Sequence, residues 1–177
     1  INFSGPQSTF RVGALDAGSD LKSLEYSFRT DDQTTSEFSP VKDVDLKIPD
    51  IYANKRVLLT VRAIDNLGNN SEKLFYFFHD LEAPVIETDI PVGKEFFKLG
   101  AKIKVTAKDT QSGLRWIKFS LNGASEEFYA DSIELVREGK QNIKIIAEDN
   151  SGNISTKEIS SIQVLGQKTF NIKIKLP

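Results

Sequence analysis

The feature that most constrains the fold of this chain is an internal repeat. Residues 14–28 match residues 107–121 without gaps, and residues 61–71 match residues 145–155. The first copy has additional residues between its two matched blocks, where we expect a loop or an extra edge strand. Because each copy is long enough to form a small domain, the repeat predicts two similar modules in series.

Apolar and polar side chains alternate within the matched blocks. In the second copy Ile103 and Val105 alternate with Lys102, Lys104 and Thr106. This period of two predicts half-buried antiparallel strands, and since no segment has a helical period we expect almost no helix. The predicted inward-facing residues are Phe10, Val12, Ala14, Leu24, Tyr26, Phe28, Leu59, Val61, Ala63, Ile103, Val105, Ala107, Ile117, Phe119, Leu121, Ile143, Ile145 and Ala147.

Turn residues separate the predicted strands. Asn122-Gly123 is typical of a type I′ hairpin turn, which needs positive φ at both central residues. Gly68 and Gly152 occupy equivalent positions in the two copies, where a tight turn would need the same conformation. About seven short strands per copy, with turns at close spacing, predict an all-β fold of two tandem immunoglobulin-like antiparallel β-sandwiches.

The predicted domain boundary lies at Ala83-Pro84, because proline fixes φ and favours an extended neighbour. We therefore expect one sandwich over residues 1–82 and a second over residues 83–165. The remaining segment, residues 166–177, alternates in the same way. It is either a final edge strand or the first strand of a further module.

Composition excludes several classes of function. The chain has no Cys and one His, which excludes Cys/His zinc sites and Ser-His or Cys-His nucleophile pairs. With 23 Lys and Arg against 25 Asp and Glu, we expect no nucleic-acid binding. No run of about 18 apolar residues is present, so this fragment should not insert into a membrane. The absence of Met suggests a fragment of a longer protein, and we expect that fragment to be monomeric.

The closing hairpin of each copy carries a family resemblance. Residues 63–69 and 147–153 both have the pattern of a strand ending in Ala-x-Asp, followed by a turn containing Gly-Asn. This pattern resembles the tandem immunoglobulin-like and fibronectin-III-like repeats of bacterial secreted and cell-surface proteins. The resemblance implies an extracellular or cell-surface location. This expectation includes the periplasm and attachment to the outer membrane.

Four carboxylates form a candidate calcium site. In an immunoglobulin-like module the loops that contain Asp109 and Asp149 gather at the end where the chain enters, near Asp80 and Glu82. Such a group of oxygen ligands suits a hard cation. Residues 109–113 also have a weaker resemblance to the calcium-binding motif of cadherin repeats. The alternative is that the repeated aspartates, Asp65 and Asp149, cap turns by accepting backbone N–H groups.

Aromatic residues at out-of-phase positions are candidates for partner contacts. Phe75 and Phe77 are predicted to face the core, which leaves Tyr76 and Phe78 facing outward. Trp116 is out of phase with the inward residues of its strand. An outward Trp suits contact with a sugar or protein partner. Alternatively it covers a loop or seals the boundary between the modules.

Together these features predict a non-catalytic protein with no firm cofactor beyond possible calcium. The leading function is a rigid spacer or presenting platform in a larger bacterial surface protein. One alternative is an adhesin-type module that binds carbohydrate or a host protein. Another is an accessory domain of a polysaccharide-acting enzyme. The expected partner is accordingly a protein or a polysaccharide of unknown identity.

Overall fold

The computed structural model describes residues 2–33, 37–166 and 168. Over these residues the chain is all-β, and its helical content is a single 3-10 turn at Asp50–Tyr52. The all-β prediction is therefore confirmed. No helix in the described part of the chain is long and apolar enough to cross a membrane. The predicted strand within residues 169–176 lies outside the described residues.

The chain divides into two compact units. The first comprises Ile1–Ala83 together with the turns Asp109–Gly113 and Asp149–Asn153, and the second comprises the rest of the chain from Pro84 onward. Each unit has its own cluster of buried apolar residues. The limits 1–82 and 83–165 for two separate sandwiches stay a prediction.

The first unit contains a five-stranded sheet and a two-stranded sheet. Its strands are β1 (Asn2–Ser4), β2 (Thr9–Arg11), β3 (Leu21–Thr30), β4 (Ser39–Pro40), β5 (Asp45–Lys47), β6 (Lys55–Asp65) and β7 (Asn70–His79). The larger sheet has the order β1-β7-β6-β3-β4, and β2 pairs with β5. All pairings are antiparallel except that of β1 with β7, which is parallel.

The core of the first unit lies between its two sheets. Leu46 of β5 and Phe10 of β2 pack in the same cluster as Val57, Leu59 and Phe77 of the larger sheet. Phe77 is only 1% exposed and its ring contacts that of Phe10 at 4.8 Å between centroids. Side chains from two sheets thus meet face to face, as in a β-sandwich.

The second unit contains a five-stranded sheet and two two-stranded sheets. Its strands are β8 (Val85–Thr88), β9 (Phe96–Lys98), β10 (Lys102–Ile103), β11 (Val105–Lys108), β12 (Leu114–Leu121), β13 (Glu127–Phe128), β14 (Ile133–Glu134), β15 (Gly139–Asp149) and β16 (Ile154–Leu165). The larger sheet has the order β13-β12-β15-β16-β9, while β11 pairs with β8 and β10 with β14. The β16–β9 pairing is parallel.

The core of the second unit follows the period-two pattern read from the sequence. Ile103, Val105, Ile143 and Ile145 are buried, and the lysines that alternate with Ile103 on its strand are exposed. Ile117, Phe119 and Leu121 of β12 pack against this cluster from one face of their strand. The strand register predicted from the repeat is the observed one here.

Three of the predicted turns have the expected backbone conformation. Asn122 and Gly123 have φ of 53° and 75°, as a type I′ turn requires. Gly68 and Gly152 both have φ of 89°. Positive φ strains residues with a Cβ atom, which explains glycine at the same position of both copies.

The structure corrects the expected environment of Phe75. Its ring contacts Phe10 at 5.2 Å between centroids, but 39% of the residue is exposed rather than buried. The reason is the small size of the opposing sheet. Strands β2 and β5 have three residues each, so they cover the inner face of β7 around Phe77 and leave Phe75 near the rim. Strand β2 also ends before the predicted inward residue Ala14.

Two apolar residues are buried although the period-two alternation of their strands predicts that they face outward. Leu58 is 3% exposed and Ile146 is 8% exposed. Leu58 lies between Arg29 and Tyr76 on the neighbouring strands. Long side chains on adjacent strands cover a shorter one on the same sheet face, so residues outside the core become buried as well.

Candidate cation and partner sites

Asp149 caps the turn that follows β15. Its Oδ1 accepts hydrogen bonds from the backbone N–H groups of Ser151 at 2.8 Å and Asn153 at 2.9 Å. Its Oδ2 accepts a bond from Asn153 Nδ2 at 2.7 Å. Asp149 is completely buried, so these donors replace the water that a carboxylate would otherwise bind.

Asp65 makes the same hydrogen bonds in the first copy of the repeat. Its Oδ1 accepts from the N–H groups of Leu67 and Asn69, and its Oδ2 accepts from Asn69 Nδ2 at 2.7 Å. The side-chain bond from Asn69 is the main cause of the lowered pKa of Asp65. Unlike Asp149, Asp65 lies in an exposed turn. The capping role considered for these aspartates is thus confirmed in both copies.

Asp109 and Asp80 are also engaged by backbone donors. Asp109 Oδ1 accepts from the N–H groups of Gln111 at 3.1 Å and Gly113 at 2.7 Å. Asp80, which is completely buried, accepts from Ser112 N at 3.1 Å through Oδ2. The backbone carbonyl of Asp80 accepts a further bond from Asn153 Nδ2 at 3.1 Å.

Three of the four predicted cation ligands lie together in the first unit. One carboxylate oxygen each from Asp80, Asp109 and Asp149 falls within 4.8 Å of the others. Glu82 is not among them, since its Oε1 accepts a hydrogen bond from Asn54 Nδ2 at 3.0 Å. No ion pair among the described residues involves Asp80, Asp109 or Asp149.

This arrangement suits a hard cation in its chemistry. Three oxygen ligands without an ion-pair partner among the described Lys and Arg residues concentrate negative charge where little water reaches. Calcium or magnesium would neutralise that charge. Backbone N–H groups offset part of that charge without a metal. Calcium binding by Asp80, Asp109 and Asp149 therefore stays a prediction, and its test is given below.

Trp116 lies in an aromatic cluster on the outer face of the second unit's larger sheet. We define this cluster as Trp116, Lys118 and Phe128. The two rings meet edge to face at 6.5 Å between centroids. The Lys118 ammonium lies 4.7 Å from the centre of the Trp116 ring and 4.8 Å from that of Phe128. Trp116 is half-buried and Phe128 is 69% exposed, so Phe128 offers more accessible aromatic surface than Trp116.

Tyr76 and Phe78 face outward on β7, as predicted. Tyr76 is 54% exposed. Phe78 is half-buried because its ring packs edge to face on Phe3 of β1, with centroids 6.3 Å apart. Phe78 therefore helps to attach β1 to the sheet, and of the two Tyr76 is the more accessible to a partner.

Comparison with known proteins identifies the fold. No family model matches the sequence, and no curated protein is similar to it. The fibronectin(III)-like modules of CbhA from Clostridium thermocellum have a similar structure, with a TM-score of 0.52 and 16% identity over 97% of this chain and 95% of that one. The FN1–FN3 domains of chicken CNTN1 match with a TM-score of 0.43 and 13% identity, over 92% of this chain and 62% of that one.

The chain has a fibronectin-III-like fold. The resemblance read from the closing hairpins is therefore confirmed at the level of fold. At this identity the similarity carries no information on ligand or activity.

The sequence did not reveal the role of two Asn residues, one in each copy of the repeat. Asn69 and Asn153 close the Asp-capped turns with their side-chain amides. The signal was available, because both copies have Asn at the fourth position after the capping Asp. The structure adds that Asn153 uses the same amide to reach the backbone of Asp80.

Proposed function

We propose that this chain is a non-catalytic extracellular module pair that acts as a spacer or presenting platform within a larger bacterial surface protein. The observation that carries the proposal is the parallel pairing of the first strand of the first unit with its last strand. Strand β1 pairs with β7 through Asn2 with Phe77, Phe3 with Phe78 and Ser4 with His79.

Parallel pairing of the outermost strands suits a segment under tension. Force that separates the two ends of the unit pulls β1 and β7 in opposite directions along their own axes. The interstrand hydrogen bonds lie across that direction, so they must break together rather than one after another. Two further bonds support the pairing: Asp80 N donates to Ser4 O at 2.8 Å, and Ser4 Oγ lies 3.1 Å from His79 Nδ1.

The second unit repeats this arrangement. Strand β9, near its start, pairs parallel with β16, its last described strand, with Phe96 opposite Gln163 and Lys98 opposite Leu165. A parallel pairing between early and late strands in both units supports a role as a spacer in series.

Single-molecule force measurements test the proposal. The chain has no Cys, so introduced cysteines give defined attachment points. Pulling between an N-terminal handle and Ala83→Cys loads β1 against β7 in shear. Pulling between Lys55→Cys and Ala83→Cys instead separates β6 from β7 one residue pair at a time, since Lys55 pairs with His79.

We expect a clearly higher rupture force in the first geometry. Equal rupture forces in the two geometries, with equal melting temperatures of the two variants, would contradict the spacer proposal. Phe3→Pro provides a second check, because it removes a backbone donor at the centre of β1. It should lower the rupture force in shear and leave the peeling force unchanged.

The aromatic cluster favours a second candidate function, adhesion to carbohydrate or to a host protein. Exposed rings beside a cation are a common composition of binding surfaces. Phe128→Ala and Trp116→Ala should then each weaken binding to immobilised polysaccharides or host-surface proteins. Undiminished binding by both variants would remove the cluster from consideration.

A further inference from the structure

A second surface feature of the second unit shares no residue with the aromatic cluster. A cavity of about 630 Å³ opens at the Asn122-Gly123 turn. It forms where β13 and β14, consecutive along the chain, join different sheets, so the edge of the structure is open there. Phe119 and Leu121, which also pack against the core, form an apolar part of its lining. Cavities of this size are typical of small-molecule sites.

The wall of the cavity carries polar side chains that have no partner among the residues the structure describes. Ser125, Glu127, Ser132, Glu134 and Arg137 line it. Within the described part of the chain, none of these five side chains makes a hydrogen bond or an ion pair. Hydroxyl, carboxylate and guanidinium groups are therefore all available to a ligand, as both donors and acceptors.

The turn at the mouth of the cavity is held in place. Asn122 Nδ2 donates to Gln141 Oε1, and Asn122 Oδ1 accepts from Asn142 N at 2.9 Å. Gln141 is only 5% exposed. A wall fixed in this way needs little ordering when a ligand binds, which favours affinity.

The chemistry of the cavity selects one class of ligand. Two carboxylates and one guanidinium give the wall a net negative charge, which disfavours an anion. An apolar floor below mixed donors and acceptors matches a sugar ring, which presents C–H groups on one face and hydroxyls around its rim. We propose that this cavity binds a neutral mono- or disaccharide unit of a polysaccharide, with Arg137 and Ser132 among its hydrogen-bonding groups.

NMR titration of the full ¹⁵N-labelled chain tests this inference. The probes are cellobiose, mannobiose and N,N′-diacetylchitobiose, each added separately. We expect saturable shifts of the backbone amides of residues 122–125 and of Gln141 with at least one probe. Arg137→Ala should weaken that binding by about tenfold, because a charge-assisted hydrogen bond is lost. Lys104→Ala, an exposed cation outside the cavity, is the matched control and should bind normally.

Three outcomes would overturn the inference. The first is no shift of these amides with any probe in the wild-type chain. The second is shifts confined to the aromatic cluster, which would assign the sugar to Trp116 and Phe128 instead. The third is undiminished binding by Arg137→Ala when its spectrum shows an intact fold. None of these results bears on the rupture forces that test the spacer proposal, so the two can fail separately.

Discussion

Gly5 lies against the backbone of the turn that Asp149 caps. A Cβ atom built on Gly5 would fall 1.9 Å from the carbonyl oxygen of Ser151. A backbone oxygen cannot rotate away as a flexible side chain does, so any larger residue must displace the turn. This close approach alone explains why residue 5 is Gly, without any need for a positive φ at that position.

We expect Gly5→Ala to lower the free energy of unfolding by about 1–3 kcal/mol or more, as overpacking does. The matched control is Gly13→Ala, where nothing lies within 4 Å of the added Cβ. That substitution should be neutral or stabilise by up to about 1 kcal/mol. Urea denaturation of both variants is the measurement, and equal midpoints would show that the close approach is relieved at no cost.

Residues that are adjacent in the sequence should also differ sharply in their contribution to stability. Ile103 is completely buried and Lys104 is exposed. Ile103→Ala should cost about 2–5 kcal/mol through lost burial and the cavity it leaves. Lys104→Ala should change stability by no more than about 0.5 kcal/mol.

The Ile103 variant also addresses the predicted domain limits. If residues 1–82 and 83–165 unfold separately, Ile103→Ala should shift one denaturation transition and leave the other in place. A single transition that moves as a whole would contradict separate unfolding of these two segments.

At the scale of an element, the Asp-capped turn occurs twice in different surroundings. Asp149 and Asp65 accept the same three hydrogen bonds, but Asp149 is buried and Asp65 lies in an exposed turn. When a buried acceptor is removed, its donors are left without a hydrogen-bond partner because water cannot reach them. In an exposed turn, water takes the place of the acceptor. The repeat thus provides its own internal control.

Asp149→Ala should cost about 2–5 kcal/mol, because two buried N–H groups lose their acceptor. Asp65→Ala should cost clearly less. Thermal melts of the two variants, with the wild-type chain as reference, decide the comparison. A larger loss of stability for Asp65→Ala than for Asp149→Ala would mean that burial does not determine how strongly a capping Asp stabilises its turn.

The elements themselves were largely predictable from the sequence, whereas residue environments were less so. Alternation and turn glycines are local signals, and they predicted strands such as β12 and the turn at Asn122-Gly123. The burial of Leu58 was not predictable, since it depends on long side chains of two neighbouring strands. Phe75 was placed wrongly for a similar reason, because the extent of the opposing sheet is a property of the folded unit.

For the whole molecule, the carboxylates of Asp80, Asp109 and Asp149 predict a dependence of stability on calcium. A ligand that binds the folded state alone raises its stability by about 2.7 kcal/mol at a concentration a hundred times its dissociation constant. We expect the melting temperature to rise in millimolar calcium relative to chelator, as for extracellular calcium sites of modest affinity.

Substitutions distinguish the role of the three clustered carboxylates from that of Glu82. Asp109→Asn should abolish the calcium-dependent rise while keeping the acceptor that caps its turn. Glu82→Gln should leave the rise intact, because the Glu82 side chain bonds to Asn54 rather than joining the cluster. A melting temperature that ignores calcium in the wild-type chain would leave the aspartates as turn caps alone.

The candidate site was predictable in its members and less so in its geometry. The repeat and the expected loop positions brought Asp80, Asp109 and Asp149 together correctly. They did not exclude Glu82 from the group. The direction of its side chain depends on its hydrogen bond with the amide of Asn54, which only the folded structure shows. The polar cavity at Asn122 had no sequence signal. Its lining lies within residues 119–141, but the opening depends on β13 and β14 joining different sheets.

The pairing of β1 with β7 also sets the order in which the first unit is completed during synthesis. Of the strands of this unit, β1 leaves the ribosome first, yet its partners, Phe77, Phe78 and His79, are among the last residues of the unit to follow. The leading segment therefore waits unpaired until nearly the whole unit has emerged. Pairing of β1 becomes the final step in completing the sheet, and until then the edge of β7 at Phe77, Phe78 and His79 is unpaired.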